Sequence, residues 1–154
     1  MIKVLFVCHG NICRSPMAEF VFKNMVKEEG IEELFYIASS ATSSEEIGNP
    51  VYPPAKKKLM EYGISCEEKR AVQLKKSDYD KYDYIIAMEQ FNIRNMLRII
   101  KDDKHSKVFR LLDFTDNPKD IDDPWYTGDF QTTYDEILKG CTGLLNHIKE
   151  KMNI

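Results

Sequence analysis

Val7-Cys8-His9-Gly10-Asn11-Ile12-Cys13-Arg14-Ser15-Pro16 stands between an apolar run, Ile2 to Val7, and an amphipathic segment from Met17 to about Glu29. The order predicts a strand, a tight loop and a helix. Gly10 tolerates positive φ, and Asn11 belongs to the few non-glycine types that do. A loop curled in this way turns successive backbone N–H groups into one concavity. The helix behind it adds its own unpaired N–H groups and the positive end of its dipole. Such a concavity suits a dianion.

Arg14 follows Cys8 by six positions and brings a fork of N–H donors matched to two phosphate oxygens, a geometry lysine lacks. The same positive field favours the ionised form of a thiol. Cys8 is therefore expected to react as a thiolate at the floor of a phosphate cup, with the Ser15 hydroxyl donating to it. Pro16 fits the first helical turn, where its missing N–H costs nothing.

Outward from this unit, strand-like runs alternate with helical patterns, which predicts an α/β fold with a parallel sheet. Ala18, Val21, Phe22 and Met25 mark one buried helical face, ended by Gly30. Leu34 to Ser39 reads as a second strand and Ser40 to Pro50 as a polar loop. Pro53 and Pro54 open a short helix through Ala55 and Leu59, capped by Gly63. Tyr82 to Met88 is a third strand, followed by a helix with Ile93, Met96, Leu97 and Ile100 on one face. Val108 to Leu112 is the last strand. Asp113 to Gly128 is a long connection without apolar periodicity, of a length usually tied to function. The final helix carries Phe130, Tyr134, Ile137, Leu138, Cys141, Leu144, Leu145 and Ile148 in one stripe, expected to cover the sheet. Ligands of such sheets bind beyond the carboxyl ends of the strands. The segments Cys8 to Ser15, Ser40 to Pro50, Glu89 to Asn92 and Asp122 to Tyr126 should meet there.

With 154 residues and a formal charge of −3, the chain is expected to form a single domain, 1–154, with no general affinity for nucleic acid or anionic membrane. The apolar start is too short for a signal peptide, and no run is long enough to span a bilayer, so a cytoplasmic monomer is expected. The cysteines (Cys8, Cys13, Cys66, Cys141) lack metal-type spacing, and no metal or cofactor is expected. Cys66 and Cys141 read as packing residues and His105 and His147 as surface residues. Lys56-Lys57-Lys58 and Lys75-Lys76 read as solvated faces rather than a docking patch.

Cysteine, five residues, arginine and serine near the start, with a distant Asp-Pro, here Asp123-Pro124, resembles the signature of the low-molecular-weight protein tyrosine phosphatases. The similarity runs over nearly the whole chain. It implies a three-layer α/β/α sandwich with a four-stranded parallel sheet, the flavodoxin-like or phosphotyrosine phosphatase I-like fold. It also implies metal-independent hydrolysis of protein phosphotyrosine and small aryl phosphates through a cysteinyl-phosphate, releasing inorganic phosphate.

The resemblance assigns catalysis to Cys8, Arg14 and Asp123. The family's acid directly precedes the proline, which selects Asp123 over Asp122. Substrate contacts fall to His9, Gly10, Asn11, Ile12, Cys13 and Ser15 of the loop, with Trp125 and Tyr126 on one wall. On the opposite wall Glu45 and Glu46 stand around a position that is apolar in many relatives, which points to basic residues flanking the phosphotyrosine. His9 reads as a rim residue rather than a catalytic one. Asn11, Ser15 and Ser39 hold the loop in shape. Glu89 stands where aspartate is usual, with Asn92 at the matching distance, so its contact to the loop is left open. Cys13 is implied as a redox partner, forming a reversible disulfide that protects Cys8 from over-oxidation.

Three other readings remain. Phosphoarginine phosphatases of the same fold tend to carry threonine where this chain has Ile12, and smaller residues in place of Trp125-Tyr126. Thiol-dependent arsenate reductases need further cysteines near mid-chain, and residues 67 to 140 contain none. A non-hydrolytic phosphate carrier would have no need of Asp123.

Overall fold

In the computed structural model, which describes Met1–Ile154, four strands form one parallel sheet: β1 (Ile2–Cys8), β2 (Phe35–Ala41), β3 (Tyr84–Ala87) and β4 (Val108–Arg110). Their order is β2-β1-β3-β4. β1 is central, and its apolar run lacks alternation because both faces are covered. Val4 and Phe6 face one layer of helices, Leu5 and Val7 the other. α1 (Arg14–Glu28), α2 (Pro53–Glu61) and α6 (Phe130–Met152) pack on the first face. α3 (Asp78–Lys81) and α4 (Gln90–Ile100) pack on the second, which completes the three layers. From β1 the chain winds first to β2 and then back across to β3. That reversal opens a crevice at the carboxyl end of β1, where residues 9–13 lie.

Several boundaries differ from the sequence reading, each for a local reason. α1 begins at Arg14 rather than Met17. β2 starts after Leu34, which closes a 3-10 turn and stays exposed, and runs on through Ser40 and Ala41 because these pair with Val7 and Cys8. β3 begins at Tyr84, since Tyr82 caps α3. β4 stops at Arg110, where the Asp113 carboxylate accepts from Arg110 N at 2.9 Å and starts a 3-10 turn, Leu111–Phe114. On α6, Leu138 lies beside the buried stripe and is 40% exposed. His147 is half-buried between Tyr84 and Phe114 rather than on the surface. Cys66 and Cys141 are buried, as expected of packing residues.

Two features aim loops at the crevice. The segment 64–77 runs along the end of β2, with Ala41 N donating to Val72 O at 2.8 Å and Leu74 N to Ala41 O at 2.7 Å. On α6, Gly140 and Gly143 leave room for the 111–114 turn. A Cβ at Gly143 would stand 2.1 Å from Phe114 O, and one at Gly140 2.4 Å from Leu111 Cγ. This close approach sets the course of the chain toward Ile121 and Asp123.

Candidate active site

The loop after β1 turns its carbonyls outward and its amides inward. Thr42 N donates to Cys8 O, Ser43 N to His9 O, Tyr52 N to Ile12 O and Met17 N to Cys13 O, at 2.9 to 3.1 Å. The N–H groups of His9, Gly10, Ile12 and Cys13 have no acceptor within the protein. Asn11 adopts φ 59° at the tightest point of the curl. A ring of free donors therefore faces one concavity, with an affinity for anions that the overall negative charge would not suggest.

Cys8 Sγ lies at the base of that ring. It receives Asn11 N at 3.3 Å and Ser15 N at 3.4 Å, with Ser15 Oγ at 3.0 Å. These donors favour a sulfur carrying negative charge. Arg14 is buried; its Nη1 donates to Glu89 and to Ile121 O, the latter at 2.8 Å, and its Nη2 is 3.4 Å from Asp123 Oδ2. Burial pulls the guanidinium down, but Cys8, Asp123 and Glu89 together hold it above its ordinary value, so its charge is secure. The extra methylene of Glu89 does not prevent its contact with Arg14. Asn92 accepts from Met88 N and Glu89 N at 3.1 Å each and fixes Glu89 at the start of α4.

Asn11 and Ser15 are buried supports. Asn11 Nδ2 donates to Ser15 Oγ at 2.8 Å and to Ser39 Oγ at 2.9 Å, while Asn11 Oδ1 accepts from Val72 N at 3.1 Å. Cys13 is buried, and burial first, then Cys8 and Asp123, push its thiol far above the usual range. It is a neutral thiol at physiological pH.

Cys8, His9, Gly10, Ile12, Cys13 and Arg14 line a cleft of about 230 Å³ with Glu45, Glu46, Asp123, Trp125 and Tyr126 as its walls. Asp123 caps the short helix α5 (Pro124–Thr127), its Oδ1 accepting from Trp125 N at 3.0 Å. Trp125 leans on Tyr52 with ring centroids 4.7 Å apart, and Tyr126 is 85% exposed at the mouth. His9 sits on the rim, its Nε2 2.9 Å from Glu45 Oε2. Asp122 is exposed.

Residues 3–154 match the pattern of the low molecular weight phosphotyrosine protein phosphatases. The chain belongs to this family. It is 38% identical over 156 residues to the low molecular weight protein-tyrosine-phosphatase YfkJ of Bacillus subtilis, with all of each chain covered. It is 34% identical over 155 residues to PtpA of Staphylococcus aureus, covering 100% of this chain and 98% of that one. The crystal structure of YfkJ superposes with a TM-score of 0.94 at 39% identity, over 98% of this chain and 96% of that chain. A Drosophila arginine phosphatase structure also superposes, with a TM-score of 0.86 at 28% identity, over 96% and 98% of the two chains. The chain is thus a low molecular weight protein tyrosine phosphatase that acts on phosphoprotein through a cysteine. No helix is long and apolar enough to cross a membrane.

The phosphatase site also contains groups that sequence reasoning missed. Glu19, buried on α1, accepts from Ser39 Oγ at 2.5 Å. It is flanked by Lys23 Nζ at 2.6 Å and Lys69 Nζ at 3.6 Å. Lys69 also donates to Ser39 O at 2.8 Å; burial lowers its pKa, and Glu19 opposes that shift. Glu19 had a signal in the sequence, as a carboxylate on the apolar face marked by Ala18, Val21 and Phe22. Lys69, Val72 N and Ile121 O had none, because they arrive from distant loops.

Proposed function

We propose that Cys8 is the nucleophile, Arg14 the clamp on the phosphoryl oxygens and Asp123 the proton donor and acceptor in hydrolysis of protein phosphotyrosine. The observation that carries this reading is the convergence of Asn11 N, Ser15 N and Ser15 Oγ on one sulfur, 3.0 to 3.4 Å away, beside a buried guanidinium. Cys8 thiolate attacks phosphorus in line as the bond to the tyrosyl oxygen breaks. The free amides of the loop and Arg14 take up the charge of the equatorial oxygens. Asp123 passes a proton to the departing phenolate through Oδ2, since Oδ1 is engaged by Trp125 N. The resulting carboxylate then accepts a proton from water, whose oxygen attacks phosphorus. The P–S bond breaks, and phosphate leaves with the thiolate restored.

Trp125, braced by Tyr52, and Tyr126 form an aromatic wall for the phenyl ring. His9, Gly10, Ile12, Cys13 and Glu45 complete the binding surface. Asn11, Ser15, Ser39, Glu89 and Asn92 hold the loop and Arg14 in place. The same reading takes the protein to act as one domain and as a monomer in the cytoplasm, where four unpaired thiols remain reduced. Under peroxide, Cys8 forms a sulfenic acid. Cys13 attacks it, giving a disulfide and water.

Parallel turnover of phosphotyrosine and phosphoarginine peptides by wild type and Cys8→Ser tests the assignment. Wild type should hydrolyse phosphotyrosine and the variant neither. Preference for phosphoarginine would overturn the substrate, and activity in Cys8→Ser would overturn the mechanism.

A further inference from the structure

A second groove, of about 400 Å³, opens beside the phosphate cup and shares His9, Arg14, Asp123 and Tyr126 with it; His9 is held by Glu45 at 2.9 Å. Phe91 at the start of α4 and Asp122 line it, and the fully buried Asn92 borders it. The shared residues make this groove continuous with the cup, the nearest recess to a side chain beside a phosphotyrosine over Cys8.

The groove is negative, and one of its carboxylates is unpaired. Glu89 is bound to Arg14, and Asp120 to Arg110 at 3.1 Å and Gln90 N at 2.9 Å. Asp122 is exposed and forms no ion pair. Lys119, the cation nearest to it along the chain, is held by Glu136 at 2.6 Å. The groove's permanent cation, Arg14, is already flanked by Glu89 and Asp123. Phe91 is 51% exposed, and its ring already lies 5.9 Å from the guanidinium of Arg94. Asn92 Nδ2, buried at the border of the groove, has no partner within the protein. On the opposite wall the carboxylates are occupied, Glu45 by His9 at 2.9 Å and Glu46 by Asn49 Nδ2 at 2.7 Å.

We propose that this groove is a subsite for an arginine close to the phosphotyrosine of the substrate, its guanidinium paired with Asp122 and stacked on the ring of Phe91. The assignment rests on the phosphotyrosine reading above. Arginine suits the groove better than lysine, because a planar guanidinium can pair with a carboxylate while stacking on an aromatic face.

The test compares kcat/KM for phosphotyrosine peptides bearing arginine, leucine or glutamate at successive positions on either side. Each ratio is taken on one enzyme, so that effects common to all substrates cancel. Wild type should favour arginine over glutamate by about fivefold at one position, the scale of a partly screened ion pair with a cation–π contact. Asp122→Lys should abolish or invert the ratio, and Phe91→Ala should reduce it. Turnover without an arginine preference overturns the subsite alone. So does a preference that survives Asp122→Lys, or one lost in Glu45→Gln instead. No turnover of any phosphotyrosine peptide overturns the functional reading as well.

Discussion

Asn11 Nδ2 donates to Ser39 Oγ across 2.9 Å, tying the phosphate loop to β2. The direction of this bond is imposed from below. Glu19 as a carboxylate only accepts, so the Ser39 proton points to it at 2.5 Å and the Ser39 oxygen is left to receive Asn11. Val72 N fixes the other end of the Asn11 amide, whose second hydrogen goes to Ser15 Oγ at 2.8 Å. The Ser15 proton then has Cys8 Sγ at 3.0 Å as its nearer acceptor, with Ser40 O at 3.5 Å.

Glu19→Gln preserves size but introduces a donor, so the chain of bonds loses its direction. A hydrogen bond to a charged group contributes about 1.5–3 kcal/mol, which corresponds to a loss in kcat/KM of about ten- to a hundredfold. Steady-state kinetics on an aryl phosphate, with thermal unfolding as the check on folding, reads this out. A folded Glu19→Gln enzyme with undiminished rate would contradict the arrangement.

Asp123 and Asp122 are neighbours with different surroundings, one capping α5 in the cleft and one exposed. Asparagine caps a helix as well as aspartate does. Asp123→Asn should therefore fold normally while losing about 10²–10⁴ in kcat on aryl phosphates, the scale of general acid catalysis. Asp122→Asn should lose far less on the same substrate. Equal losses would refute the assignment of the acid.

Gly143 faces Phe114 O, and the 2.1 Å approach of an added Cβ leaves no room without moving the backbone turn. Alanine gains about 1 kcal/mol in helix propensity. The overpacking costs about 1–3 kcal/mol, and here it falls on backbone. Gly143→Ala should lower the thermal midpoint and, by shifting the chain toward Ile121, weaken Arg14 placement. An unchanged midpoint would count against the close packing.

Burial raises the pKa of Cys13, Cys66 and Cys141. Each thiol loses its proton in the unfolded chain first, so above about pH 8.5 the unfolded state binds fewer protons and stability falls with rising pH. Below that range this contribution is fully present. Thermal midpoints from neutral to alkaline pH should decline, and Cys141→Ala should make the decline shallower while lowering the midpoint throughout. An identical slope in the variant would contradict the shift.

The fold was legible because β1 is apolar except for Lys3 and is followed at once by a glycine-containing loop and an amphipathic helix. Its carboxyl end had to be the site once the strands were parallel. Cys8 and Arg14 stood out through their chemistry and spacing, whereas Asp123 and Glu45 entered only through the family resemblance, which places an acid before the proline and an apolar residue on the cleft wall. Strand ends were less legible. Ser40 and Ala41 carry no strand pattern yet pair with Val7 and Cys8, while Leu112 carries one and lies in a turn that Asp113 initiates. Lys69 is 30 residues from Ser39 along the chain and Ile121 is 107 from Arg14, separations that no local pattern bridges. They meet only because the 64–77 segment covers β2 and α6 admits the 111–114 turn.

The central claim is that phosphorus passes through Cys8. Asp123→Asn mixed with an aryl phosphate and quenched in acid within the first turnover gives the most direct test. Mass spectrometry of the peptide containing Cys8 should show one phosphoryl group, absent in Cys8→Ser and lost on a chase with time. A Cys8 peptide that never carries phosphate while product accumulates would contradict it.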